Sequence, residues 1–281
     1  MEAAGIVYAC RARGVFRNAS VSPLVGDRVK ILLSGDGTGT VSEILPRKNQ
    51  LVRPPVANID QLFLVVSVCE PAPSTLVIDK MIAAAEDQGI EPVLVVSKTD
   101  LQEADWLREI YEKAGIPFYA VSSATGEGVD ALRPLLKGKV TAFTGNTGAG
   151  KSSLLNCLNP ALGLETGEIS RKLGRGRHTT RHVELLPLGG GYVADTPGFS
   201  FIQIERYNMV KKENLQFCFR EFGPYLNSCR FVSCSHVKEK GCAVLEAVEK
   251  GLISPSRHES YVSMYNEVKD IKEWQLKEKN V

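Results

Sequence analysis

The chain has 281 residues, and its 34 Lys and Arg nearly balance 32 Asp and Glu, leaving a formal charge of +2. A near-neutral molecule does not bind nucleic acid by bulk charge, and at about 100–200 residues per domain it is expected to hold two or three. No apolar run approaches the ~20 residues that span a bilayer, and the N-terminus lacks the core and cleavage site of a secretory signal, so a cytoplasmic protein without a membrane segment is expected.

Residues 1–55 read as all-β. Short apolar-alternating runs at 5–9, Val29–Leu33 and 39–44 are separated by turn signals at Gly14, Gly26-Asp27 and Gly35-Asp36-Gly37. Short strands at that spacing predict a small barrel. Arg11, Arg13, Arg17, Arg28, Lys30, Arg47, Lys48 and Arg53 make this stretch basic, which suits either a phosphate-backbone contact or a solvated surface. Arg53-Pro54-Pro55 predicts a stiff linker, because proline fixes its own φ and biases the preceding residue to extended forms.

From Asp60 the pattern alternates between strand and helix. The apolar run 61–68 predicts a buried parallel strand. Ser74 is placed to cap a helix with Val77, Ile78, Met81, Ile82 and Ala85 on one face. Strands follow at 92–97, 117–122, Val140–Thr144 and 191–194, with helices at 104–114 and 129–136. This alternation predicts a doubly wound α/β unit over 56–212. After about Lys212 the strand signals stop, and helices are expected at 243–250 and 255–273, the second opened by Ser254-Pro255. The third unit is therefore mainly helical and covers 213–281.

Gly145-Asn146-Thr147-Gly148-Ala149-Gly150-Lys151-Ser152, with Ser153 behind it, matches G-x-x-x-x-G-K-[ST] between a predicted strand and a predicted helix. Backbone N–H groups in such a loop curl around phosphate oxygens, and the helix N-terminus adds partial positive charge. Lys151 is expected to reach the β- and γ-phosphates and Ser152 to bind magnesium. Asp195-Thr196-Pro197-Gly198 follows a strand; Asp195 is expected to hold magnesium and the Gly198 N–H to sense the γ-phosphate. Ser97-Lys98-Thr99-Asp100 ends another strand where GTPases carry N-K-x-D. The Asp100 carboxylate suits the N1–H and exocyclic amine of guanine, a donor pair adenine lacks. Serine at 97 keeps one hydroxyl but loses the reach of an amide. Ser123-Ala124 matches the loop that backs the base. An ordinary small GTPase runs phosphate motifs first and base motifs second; here the order is reversed. The chain leaving Asp195–Gly198 consequently feeds straight into the C-terminal unit.

Seven cysteines, an odd count, argue for a reducing compartment rather than a disulfide framework. Cys229, Cys234, His236 and Cys242 fall within a short stretch and make a Cys3His set, the closed tetrahedral kind used structurally for zinc. Such an ion would staple a small helical unit with a thin core.

With these motifs in hand, the sequence resembles the circularly permuted, ribosome small-subunit-dependent GTPase A family of bacteria. Cys10-Arg11-Ala12-Arg13-Gly14 and Val25-Gly26-Asp27-Arg28-Val29 are similar to its N-terminal barrel. The segment Lys172-Leu173-Gly174-Arg175-Gly176-Arg177-His178-Thr179-Thr180-Arg181-His182 is similar to its switch, and Cys229-x4-Cys234-x-His236-x5-Cys242 to its zinc site. The resemblance implies an N-terminal oligonucleotide-binding (OB) fold, a central GTPase and a C-terminal zinc domain. It further implies a monomer that binds rRNA late in small-subunit maturation and hydrolyses GTP with magnesium when the subunit stimulates it.

Phe199 stands where many GTPases place a water-orienting Gln just after D-x-x-G. His178, in the segment 174–180, suits that role near neutral pH, and the resemblance points to the same residue. A solvated loop histidine is the alternative. Thr179 or Thr180 is the expected magnesium-binding switch threonine. Arg171, Lys172, Arg175, Arg177 and Arg181 form a second basic knot, an RNA contact or a charged loop. A GTP-gated RNA placeholder, a large-subunit GTPase and an ATPase are the competing readings, the last disfavoured by Asp100.

Overall fold

The computed structural model describes residues 1–3, 5–12, 14, 16, 22–35, 37–51, 55–164, 184–195 and 210–271. In the N-terminal part, β1 (Ala9–Ala12), β2 (Val29–Leu33) and β3 (Thr38–Ile44) form a sheet with β3 in the middle, parallel to β1 and antiparallel to β2. The apolar alternation of the first residues yields two short paired stretches, Glu2–Ala3 and Ile6–Val7, ahead of β1. Several of the basic residues here are engaged internally. Arg47 grips Asp27 through two nitrogens at 2.7 and 2.8 Å, Lys30 pairs with Glu43, and Lys48 with Asp60. These charges are partly neutralised before any partner arrives.

The central part is a six-stranded sheet of β4 (Gln61–Ser67), β5 (Glu91–Ser97), β6 (Phe118–Ala120), β7 (Val140–Thr144), β8 (Glu184–Leu188) and β9 (Gly191–Asp195), in the order β6-β5-β4-β7-β9-β8. All neighbours are parallel except the edge pair β8–β9. Every residue of β4 is buried, as its near-continuous apolar run requires of a strand covered on both faces. Helix α1 (Thr75–Asp87) lays Ile78, Met81, Ile82 and Ala85 against one face. Ser74 precedes it without a side-chain cap bond, though its carbonyl accepts from the Ile78 N–H. Helix α2 (Asp105–Lys113) follows β5. The opposite face carries Leu132 and Leu136, in a 3-10 turn and a one-turn helix rather than the single helix expected over 129–136, and Leu154 and Leu158 of α3 (Lys151–Leu158). Each such fully buried aliphatic side chain contributes about 1.5–3 kcal/mol. No helix among the described residues is long and apolar enough to cross a membrane.

The C-terminal part is built from short helical turns across 212–225, α4 (Ala243–Glu249) and α5 (Pro255–Val268), around Phe219, Phe222 and Tyr261. Helix α5 ends before 273, and Ser254 bonds Ser256 rather than capping a backbone amide. This part is clamped to the central sheet by charge. Arg257 of α5, 1% exposed, pairs with Asp79 of α1 at 2.7 Å and with Glu221 at 2.7 Å. Burial pushes the Asp79 carboxyl above the ordinary carboxylate range, against the pull of Arg257. Burial also opposes the charge on Arg257, but Asp79 and Glu221 more than offset it and hold the guanidinium firmly protonated. A second arginine, Arg220, reaches Glu86 of α1 and Glu91 of β5.

Candidate functional site

Because β4, β5, β7 and β9 are parallel, their C-terminal ends lie along one edge of the sheet, where open α/β sheets bind ligands. Two strands deliver the recognition segments directly. Strand β5 ends at Ser97 and passes into Lys98, Thr99 and Asp100; β7 ends at Thr144 and passes into the loop Gly145–Gly150 and then α3. Two glycines are required here. A Cβ on Gly145 would sit 2.3 Å from the Val65 carbonyl oxygen, and Gly150 adopts φ +85°, a left-handed conformation costly for other residues. The Lys151 ammonium curls back on the Gly145 carbonyl at 3.1 Å. Burial lowers its pKa, so its charge is poorly solvated and matched to an incoming anion. Ser152 and Ser153 lie half-buried in the first turn of α3.

The segment 97–100 is fastened to the loop 145–150. Ser97 is buried, and its hydroxyl donates to the Ala149 carbonyl at 2.6 Å. Lys98 takes φ +62°, and its ammonium donates to the Glu70 carbonyl. A non-glycine residue in the left-handed region is a backbone outlier of the kind that clusters at functional sites. The Asp100 carboxylate accepts from the Ser122 hydroxyl at 2.6 Å. Ser122 also accepts from the Ala124 and Thr125 amides at 3.2 Å each, so one serine both turns the loop and aims the acid. The sequence pointed to Ser123-Ala124; the side chain on Asp100 belongs to the residue before that pair. Asp195 closes β9, which lies beside β7. His178, Thr179, Thr180, Gly198, Phe199 and the knot from Arg171 to Arg181 lie outside the described residues.

A second cluster stands in the C-terminal part. The ligand atoms of Cys229, Cys234, His236 and Cys242 all lie within 4.8 Å of one another and can hold a metal ion. The His236 Nδ1 is 3.5 Å from the Cys229 sulfur and 3.4 Å from that of Cys242. Its other nitrogen, Nε2, meets the Gln216 side-chain oxygen at 3.0 Å. That oxygen is an acceptor only, so it holds the proton on Nε2 and turns the Nδ1 lone pair toward the thiols. Burial, with Cys242 and Cys229 alongside, pushes the Cys234 thiol up to about 12; burial, with His258 nearby, lowers the His236 pKa. Glu239 organises the loop by accepting from the amides of Ser235, Val237 and Lys238 at 3.0 Å each. Neither Gln216 nor Glu239 is visible as a site residue in the sequence, because neither sits in a ligand spacing.

The RsgA GTPase family matches residues 44–205, and the RsgA N-terminal domain family matches residues 1–41. The chain belongs to the RsgA GTPase family. Similar to it is the small ribosomal subunit biogenesis GTPase RsgA of Caldanaerobacter subterraneus subsp. tengcongensis, 48% identical over 94% of this chain and 90% of that protein. The RsgA of Geobacillus thermodenitrificans is 46% identical over 95% of this chain and 92% of its own length. Among solved structures, YjeQ from Thermotoga maritima superposes with a TM-score of 0.79 at 40% identity, covering 94% of this chain and 90% of that one. YloQ, described as a circularly permuted GTPase, does so at 0.76 and 36%, covering 94% and 86%. These RsgA relatives span nearly the whole chain, so the family assignment rests on more than the phosphate loop.

Proposed function

We propose that this chain hydrolyses GTP as a small-subunit biogenesis GTPase, binding rRNA as a monomer and turning over fastest on the small ribosomal subunit. The observation that carries the reading is the Asp100 carboxylate, held by Ser122 at 2.6 Å beside a phosphate loop to which Ser97 ties the same segment. An acceptor-only carboxylate there selects the two donors of guanine. Lys98, Thr99, Asp100, Ser123 and Ala124 would form the base pocket, with Ser97 beneath them tying the segment to the phosphate loop. The loop Gly145–Gly150, with Lys151, Ser152, Ser153 and Gly198, would take the phosphates, and Ser152 and Asp195 the magnesium.

We assign zinc to the Cys3His cluster. A tetrahedral ion with bonds of about 2.3 Å to sulfur and 2.0–2.1 Å to nitrogen sets sulfur–sulfur separations near 3.8 Å and sulfur–nitrogen separations near 3.6 Å. The Cys229 and Cys242 sulfurs are 3.9 Å apart, and the sulfur–Nδ1 distances are 3.5 and 3.4 Å. Apart from Ala83 of α1, the buried members of the C-terminal hydrophobic cluster run from Val210 to Val268, which supports a C-terminal unit near the 213 boundary, after units at 1–55 and 56–212.

For the chemical step, His178 would position the attacking water, with Thr179 or Thr180 on magnesium, since Phe199 offers no polar atom. The deciding measurement is the GTPase rate against added small subunits, with large subunits and ATP as the controls. A rate indifferent to small subunits would remove the ribosomal reading. His178→Ala should abolish stimulated turnover while GTP still binds; unchanged turnover excludes the role.

A further inference from the structure

The base-recognition segment of this chain has a donor deficit. Guanine presents two kinds of edge: N1–H and the exocyclic amine donate, whereas N7 and O6 accept. Asp100 can serve only the donating edge, because a carboxylate is acceptor-only. Reading N7 requires an N–H or O–H from the protein, and an asparagine amide in position 97 would supply two.

Serine supplies one, and it is already used. The Ser97 hydroxyl lies 2.6 Å from the Ala149 carbonyl and 3.3 Å from that of Val66, and its single proton goes to the nearer oxygen. Ser97 is 1% exposed and packed under the phosphate loop, its Oγ 3.5 Å from the position a Cβ would occupy on Gly150. Several neighbouring donors are committed too, and the unpartnered hydroxyl beside them, that of Ser123, is buried away from solvent and so from an arriving base. The Lys98 ammonium is on the Glu70 carbonyl, the Thr99 N–H on the Val121 carbonyl, and the Ala124 and Thr125 amides on Ser122.

We infer that Ser97 is a positioning residue for the phosphate loop and that this chain leaves guanine N7 unread, so that its base specificity rests on the donating edge facing Asp100. The inference rests on the GTP reading above and sharpens it: the substrate class is any purine triphosphate with the guanine N1–H and amine, whatever stands at position 7.

The test is competition binding to the full chain with magnesium and GTP, 7-deaza-GTP, ITP and ATP. One neutral hydrogen bond is worth about two- to twelvefold in affinity. GTP and 7-deaza-GTP are expected to bind within about twofold of each other, below that increment. Ser97→Ala should weaken both equally, because it loosens the phosphate loop and touches no base atom. Ser97→Asn should acquire a preference for GTP over 7-deaza-GTP. A wild-type preference for GTP above about twofold overturns the inference, as does a Ser97→Ala variant that changes the ratio or a folded Ser97→Asn that shows none. Should Ser97→Asn fail to fold, the wild-type and alanine ratios still decide. ITP lacks the amine and ATP the donor pair; if either binds as well as GTP, it is the guanine reading that fails.

Discussion

The nucleotide site and the cysteine–histidine cluster are built on opposite plans. The first is drawn from segments well separated in sequence, the residues after Ser97 at the end of β5 and the loop after Thr144 at the end of β7, in a sheet packed on both faces. The second is assembled from neighbours in sequence, on loops, over a small aromatic core. The comparison teaches where ligand binding energy goes. A sheet-edge site is organised before its ligand arrives and can direct binding energy at chemistry. A loop-borne site must direct it at folding.

The largest expected effect tests that division. Removing the metal with a chelator, or Cys242→Ala, should unfold the C-terminal part, since a structural zinc ion contributes about 10–16 kcal/mol in small domains. Proteolysis confined to 210–271 with GTP affinity retained would sustain the contrast; loss of GTP binding as well would break it. Next, Arg257→Met leaves Asp79 and Glu221 buried without their cation, and should cost about 3–5 kcal/mol in a denaturant titration. Coincident loss of both parts would mean that the two regions fold as one unit.

Lys151→Ala should lower turnover about a hundred- to thousandfold, the range for deleting one transition-state donor. The unliganded protein should not lose stability. A lysine whose folded pKa is lowered carries a desolvation cost below its unfolded pKa, and that cost fades as pH rises through the lowered value. Deleting the charge removes the cost at neutral pH, so a fall in the thermal midpoint would contradict the assignment.

The smallest effects come from the two side chains that aim other side chains. Gln216→Ala should weaken metal affinity about tenfold, measured by competition with a colorimetric chelator. Ser122→Ala should weaken GTP binding by about tenfold, since it removes a hydrogen bond to a charged acceptor. If Gln216→Ala altered GTP affinity instead, the two regions would not be separable.

The sequence made legible what local chemistry determines. The phosphate loop, strand Val140–Thr144 and the Cys3His spacing are read from consecutive residues and appear in place. Edge strand β8 escaped, because Pro187 interrupts a short run. Its signal lay in the turn: Gly189 and Gly190 both take positive φ between β8 and β9, the two-residue hairpin that a Gly-Gly pair favours. The role of Ser122 was not legible, because Ser-Ser-Ala offers a short motif no way to tell which hydroxyl meets Asp100, and only the folded contact shows it. Gln216, Glu221 and Arg257 act across sequence separations that no spacing rule covers. The serines at 74 and 254 stand at the cap positions without making the side-chain bond.

The buried pairing of Arg257 with Asp79 has a consequence for how the chain can be cut. Helix α1 follows directly from β4, the strand between the two that carry the recognition segments, so the C-terminal part is seated on the middle of the sheet and not merely on its tether. Two fragments produced by a break between residues 195 and 210 would therefore be expected to stay together as a single particle, held by an ionic lock that peptide-bond cleavage does not touch.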